Sequence, residues 1–276
     1  MTINCRGTLL DLTSPQVMGI LNVTPDSFYD GGKATTATQI RARVIDMIEA
    51  GAAIIDVGGM SSKPGAVVIS EQEEIDRVSP AIEIIREVSP TTIISIDTLH
   101  SQVASHCLSH GASIVNDISA GDYDKDMIQI VAEADVPYIA MHMQGTPSDM
   151  QDNPLYQDVT LDVLKYMAVK VRECRAAGIK DVVLDVGFGF GKSVQHNYKL
   201  LAELSAFRIL GCPILAGVSR KSMIYKPLGI TPQEALSGTS ALHMVALQQG
   251  AKILRVHDVR ETVQCVKLHQ LITDIN

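Results

Sequence analysis

AIIDVGG, residues 53–59, is an apolar run with a carboxylate near its end and a pair of glycines closing it, and its construction recurs along the whole chain. The other instances are VMGILN at 17–22, TIISIDT at 92–98, SIVNDI at 113–118, YIAMHM at 138–143, VVLDVG at 182–187, ILAGVSRKS at 214–222 and ILRVHD at 253–258. A helix-patterned stretch follows each run. Apolar runs of this kind read as strands buried on both faces, and strands alternating with helices build a parallel sheet. Eight such units in 276 residues predict an α/β fold, a single closed (β/α)8 barrel spanning 1–276. The carboxyl ends of its strands form the active face.

Outward from these runs, the segment before residue 16 contains RGTLLDL, an alternating piece expected to form a short N-terminal hairpin that closes the barrel floor. After Asn22 the loop VTPDSFYDGGK leads into a helix expected over 36–50. Gly51, Gly111, Gly178 and Gly250 each stand just before a strand, where a helix C-terminus requires a left-handed residue. A second long loop, GGMSSKPGAVVIS at 58–70, precedes an acidic helix start, EQEEIDR. Loops of this length on the active face read as lids or binding loops.

The net charge of −8 excludes a general nucleic-acid or anionic-membrane surface, so an anionic ligand must be held by a local cluster of cations. Cys5, Cys107, Cys174, Cys212 and Cys265 are scattered and odd in number, which fits buried, reduced thiols. With no signal-peptide pattern and no apolar run of about 18 residues, a cytoplasmic protein is expected.

Residues two apart on a strand share a side. Arg255 and His257 therefore project together, and Asn22, Asp56, Asp97, Asn116 and Asp185 are expected to ring the same mouth. Carboxylates so placed repel unless compensated, and the available cations are Lys221, Arg255, Arg220 and Lys63, with His257 as a further candidate. The mixture suits a ligand with an amidine-like edge, facing Asp185 and Asn116, and an anionic end. DVGFGFGKS matches neither the Walker nor the dinucleotide pattern; it reads as a tight turn whose glycines admit a flat ligand while Phe188 or Phe190 covers it. SRKS at 219–222 is placed to bind anions. His142 carries little functional signal alone, His106, His110, His243 and His269 read as surface or core residues, and no zinc motif is present.

Taken in order, NVTPDSFYDGG, IDVGGMSSKPGA, SIDT, NDI, MHMQGTP, DVGFGFGK, GVSRKSMI and RVHD resemble the dihydropteroate synthase family over nearly the full chain. The resemblance implies condensation of 6-hydroxymethyl-7,8-dihydropterin diphosphate with 4-aminobenzoate to give 7,8-dihydropteroate and diphosphate. It also implies sulfonamide inhibition, a homodimer and Mg2+ at or near Asn22. Carried onto this sequence, the catalytic set is Asp97, Lys221, Arg255, His257 and Asp30, and the pterin ligands are Asp97, Asn116, Asp185, Lys221 and Arg255. Ser62, Lys63, Pro64, Phe190, Ser222, Asn22 and His257 serve 4-aminobenzoate and diphosphate, under a loop holding Phe28 and Asp30.

The second loop departs from the commoner family GGESTRPG at Met60, Ser62 and Lys63, and Val186 stands where proline is usual. Lys63 lacks the planar fork that binds an anion bidentately. Two rivals share part of the pattern. A methyltetrahydrofolate corrinoid methyltransferase would keep Asn116 and Asp185 but leaves SSKPG, SRKS and RVHD without a purpose. A noncatalytic pterin-binding homologue would have lost Asp97, Lys221, Arg255 or His257, and all are present.

Overall fold

The computed structural model describes residues 1–24, 33–61, 65–145 and 154–274. An antiparallel hairpin, β1 (Thr2–Cys5) and β2 (Thr8–Asp11), precedes eight parallel strands. These are β3 (Gln16–Asn22), β4 (Ile54–Gly58), β5 (Ile93–Asp97), β6 (Ile114–Asp117), β7 (Tyr138–Met141), β8 (Val182–Asp185), β9 (Ile214–Ala216) and β10 (Ile253–Val256). They close in the order β10-β3-β4-β5-β6-β7-β8-β9, so the last strand pairs with the first. The expected barrel and hairpin are both present.

Helices α1 (Lys33–Glu49), α2 (Glu71–Val88), α3 (Ser101–Ser109), α4 (Met127–Ala134), α5 (Val159–Ala176) and α6 (Val194–Ala202) follow β3 to β8 in turn. Two helices, α7 (Ser222–Leu228) and α8 (Leu236–Gln248), fill the crossover from β9 to β10, and α9 (Val259–Thr273) follows β10. The first helix begins three residues before its expected start. Gly51, Gly111, Gly178 and Gly250 have φ of 97°, 112°, 101° and 96°, the left-handed geometry assigned to them.

Strand alternation sorts the core into two parts. Val17, Ile55, Ile94, Val115, Ala140, Leu184, Ala216 and Leu254 point outward and pack under the helices. Met18, Ile54, Ile93, Ile114, Ile139, Val183, Leu215 and Ile253, one from each barrel strand, point inward and form a layer at the base. Ile3, Cys5, Leu10 and Leu12 of the hairpin segment close that layer from below. Each such side chain contributes about 1.5–3 kcal/mol on burial, so the floor is dry and rigid. Two residues further along, the inward position turns polar on β4, β5, β6, β8 and β10, with Asp56, Ser95, Asn116, Asp185 and Arg255, and the site begins.

All five cysteines are buried and unpaired, as expected. Among the described residues no helix is long and apolar enough to cross a membrane.

Candidate active site

Register fixes the rim. Asn22 lies opposite Gly58, Gly58 opposite Asp97, and Asp97 opposite Asn116, so the ends of β3 to β6 stand at one height. Gly58 leaves a gap there: a Cβ on it would lie 3.4 Å from Asn22 Oδ1 and 3.6 Å from Asp97 Oδ2. On the far side Asp185 pairs with Met141 and Leu215.

Arg255, rising from β10, spans the cup. Its Nε donates to Asp56 Oδ2 at 2.6 Å and its Nη2 to Asp97 Oδ2 at 2.5 Å. Asn116 Nδ2 donates to the same Asp56 oxygen at 3.1 Å. Asp56 was expected only as one of several rim residues; it is the fully buried post on which both Arg255 and Asn116 are oriented. Burial, only partly offset by Arg255, and the neighbouring Asp56 carboxylate push Asp97 up to about 7. Burial disfavours the Arg255 cation, but the Asp56 and Asp97 carboxylates outweigh it and raise its pKa. One guanidinium thus faces two carboxylates, one of them at the edge of protonation near neutral pH.

Asp185 Oδ1 accepts the Gly187 N–H at 2.8 Å, which fixes the carboxylate and leaves Oδ2 toward Gly217. A Cβ on Gly217 would meet Asp185 Oδ2 and Lys221 Nζ at 3.9 Å and Arg255 Cβ at 4.0 Å, so these three side chains converge over one glycine. Burial raises the Asp185 pKa. Burial also pushes Lys221 down to about 8, with Asp185 supporting the cation. Lys221 Nζ donates to the Phe188 carbonyl and sits 4.6 Å over the Phe190 ring. Phe190 joins Leu99, Ile118 and Met141 in an apolar wall at the mouth, packed by Met60, Val68 and Met143. Phe188 lies instead in the outer core under the helices, so only Phe190 is available as a cover.

Two glycines of DVGFGFGK are required by a close backbone neighbour. A Cβ on Gly187 would fall 1.9 Å from the His142 carbonyl, and one on Gly191 would fall 2.4 Å from that of Gln144. The close neighbour of both is the loop after β7, while Gly189 between them faces Lys221. Lys192, which the sequence did not single out, stitches the two loops together: its Nζ lies 2.9 Å from His142 Nδ1 and donates to the carbonyls of His142, Gly187 and Phe190.

His257 follows β10 and its Nδ1 lies 3.0 Å from Ser219 Oγ. Burial and then Arg255 push it down to about 4, which favours the neutral imidazole. Arg220 is removed from the cup cations. Its Nε and Nη2 bind the two Asp258 oxygens at 2.8 Å, and its Nη1 donates to the carbonyls of Pro232 and Gln233. Arg220 has a φ of 54°, a left-handed turn held by these contacts that presents Ser219 on one side and Lys221 and Ser222 on the other. Phe28, Asp30, Ser62, Lys63 and Pro64 lie outside the described residues.

Among the described residues no group of three His, Cys, Asp or Glu side chains could hold a metal ion. The oxygen donor at the rim is the exposed Asn22 amide beside Gly58. Mg2+ binds through one or two protein oxygens plus waters and substrate phosphates, so this sparse donor set fits it.

The cup has the chemistry of a site for a flat nitrogenous ring and an anion, and comparison with known proteins bears on that chemistry. The family described as pterin binding enzyme matches residues 18–257. The dihydropteroate synthase of Escherichia coli (strain K12) is 45% identical over 270 residues, covering 97% of this chain and 95% of that protein. The crystal structure of the Yersinia pestis dihydropteroate synthase with a sulfonamide drug superposes with a TM-score of 0.93 at 42% identity, over 99% of this chain and 100% of the other. The Xanthomonas albilineans enzyme with 4-aminobenzoic acid gives 0.92 at 38% identity, over 99% and 98%. In complex with 7,8-dihydropteroate it gives 0.88 at 37%, over 99% of each chain. The chain belongs to the dihydropteroate synthase family of pterin-binding enzymes.

Proposed function

We propose that the cup joins 6-hydroxymethyl-7,8-dihydropterin diphosphate to 4-aminobenzoate, releasing diphosphate, with the roles below for its residues. The observation that carries the assignment is the convergence of Asp185, Lys221 and Arg255 over Gly217, beside Asn116. Asn116 has its Nδ2 engaged with Asp56 and Asp185 its Oδ1 engaged with Gly187. Each therefore offers one fixed acceptor oxygen, the pattern required by the ring N–H and amino group of a pterin. Asp97 and Lys221 complete that edge, and Met141, Ile118 and Phe190 supply apolar surface for a flat ring.

The methylene carbon loses diphosphate while the electron-rich pterin shares the developing positive charge, so a dissociative transition state is favoured and no protein nucleophile is needed. Arg255 binds departing negative charge, and neutral His257, set by Ser219, donates one N–H bond to it once its Nδ1 acts as acceptor. Asn22 would hold a bound Mg2+, which would supply positive charge for the departing diphosphate. Ser222, the first residue of α7, receives the 4-aminobenzoate carboxylate, with the aryl ring between Phe190 and Lys221 and the amine aimed at the methylene carbon. Ser62, Lys63 and Pro64 are assigned to 4-aminobenzoate and diphosphate by the resemblance, under the loop holding Phe28 and Asp30. Water exclusion protects the cationic carbon until the amine attacks.

We also infer a cytoplasmic homodimer. The α8–α9 face supports it: Ala241, Met244, Leu268 and Leu271 line an apolar groove, and Leu268 and Leu271 are 57% and 64% exposed. Purified protein given both substrates and Mg2+ should release dihydropteroate and diphosphate in equal amounts. Release of neither, from protein that binds a pterin, would overturn the assignment.

A further inference from the structure

Lys192 is a buried amine that no carboxylate contacts among the described residues, the Asp185 charge favouring its protonated form from further off. It is 3% exposed, and among the described residues no carboxylate forms an ion pair with it. An ammonium placed this way is costly unless other acceptors surround it. Here they do: His142 Nδ1 at 2.9 Å, and the carbonyls of Gly187 at 2.9 Å, Phe190 at 3.0 Å and His142 at 3.2 Å. Burial pushes the lysine down to about 7 and His142 down to about 3, so the imidazole is neutral and its Nδ1 accepts. Further groups hold the same joint. The Tyr156 hydroxyl donates to the Gly191 carbonyl at 2.8 Å, and the His142 ring meets Tyr166 edge-on at 4.9 Å.

None of these contacts reaches the cup directly. What the lysine holds is the backbone from Gly187 to Phe190, and that segment presents the Phe188 carbonyl to Lys221 and the Phe190 ring beneath the Lys221 ammonium. We propose that Lys192 is a positioning residue for the aryl amine substrate: through the Gly187 and Phe190 carbonyls it sets the height of the Phe190 wall and the aim of Lys221. It reaches the pterin edge only indirectly, through the Gly187 N–H that Asp185 Oδ1 accepts, while Asn116 is built on Asp56 from the opposite strands, so the pterin is the less affected substrate. The inference rests on the assignment of 4-aminobenzoate to the Phe190 wall.

Steady-state kinetics of Lys192→Met, Lys192→Gln and Phe190→Ala, with each substrate varied in turn, test it. Lys192→Met should raise the KM for 4-aminobenzoate at least tenfold while kcat and the KM for the pterin diphosphate stay within threefold. Lys192→Gln retains an amide N–H pair for the carbonyls and should recover most of the loss, to about threefold above the parent. If Lys192→Met does not fold, a rise of at least threefold in Lys192→Gln, confined to 4-aminobenzoate, supports the proposal and an unchanged KM overturns it. A parallel fall in kcat and rise in both KM values marks a merely structural lysine and also overturns it. Phe190→Ala separates the two levels. If it raises the 4-aminobenzoate KM while the lysine variants do not, only the role of Lys192 fails; if it changes nothing, the subsite assignment fails and the inference with it.

Discussion

Arg255 touches two carboxylates that no other cation touches among the described residues, and this makes its removal a stability experiment as well as a kinetic one. Arg255→Met leaves the Asp56 and Asp97 carboxylates without a counter-cation, Asp56 keeping only the Asn116 amide, a change that costs about 3–5 kcal/mol. The pH dependence has a definite sign. Asp97 is raised toward 7, so the folded protein holds a proton there that the unfolded chain releases at the ordinary carboxylate pKa, and its cost to folding grows as pH rises through that interval. Urea unfolding should therefore find a larger loss for Arg255→Met at pH 8 than at pH 6; equal losses would show that Asp97 keeps its charge throughout. Loss of the same guanidinium should lower kcat/KM by about 100-fold or more, measured as diphosphate release.

At the scale of elements, the floor and the loops separate stability from chemistry. Leu12→Ala opens a cavity in the layer beneath the barrel and should cost about 2–4 kcal/mol, while both KM values stay within twofold. Two glycines with positive φ make a second contrast. Gly7→Ala meets open space and carries only backbone strain, about 1 kcal/mol. Gly187→Ala drives a methyl group into the His142 carbonyl, and thermal melts and turnover should both collapse. These elements were unevenly legible in the sequence. All eight barrel strands and the hairpin could be read, because two-sided burial leaves an unbroken apolar run and the lumen residues announce themselves as its polar ends. Asp56 and Lys192 were harder for a physical reason: a strand-end carboxylate looks the same whether it faces a ligand or a neighbour, and a lysine after a glycine turn looks solvated. Arg220 misled in the same way, since only the fold brings Asp258 to it. For Asp30 and Ser62 the case still rests on the motif.

The whole molecule carries a further titration. His142, His243 and His257 are all held neutral by burial, at about 3, 4 and 4. Their stabilising effect is present above the ordinary histidine pKa and is lost as pH falls through the folded values. His243 sits in α8, away from the cup, and among the described residues its Nε2 has no partner, so it isolates the effect. In His243→Leu the difference in unfolding free energy between pH 7.5 and pH 4.5 should be smaller than in the parent by about 2.5 kcal/mol, by urea titration. For the assembly, sedimentation equilibrium should give a dimer, and Leu268→Glu with Leu271→Glu should give a monomer whose barrel melts normally.

Because β10 supplies the strand that joins β9 to β3, the barrel cannot close until residues 253–256 have left the ribosome. Until then the nascent chain presents two open sheet edges, and Asp56 and Asp97 wait for an arginine 199 and 158 residues downstream. Synthesis that stops short of β10 therefore leaves a chain with open strand edges and uncompensated carboxylates, a species prone to aggregate.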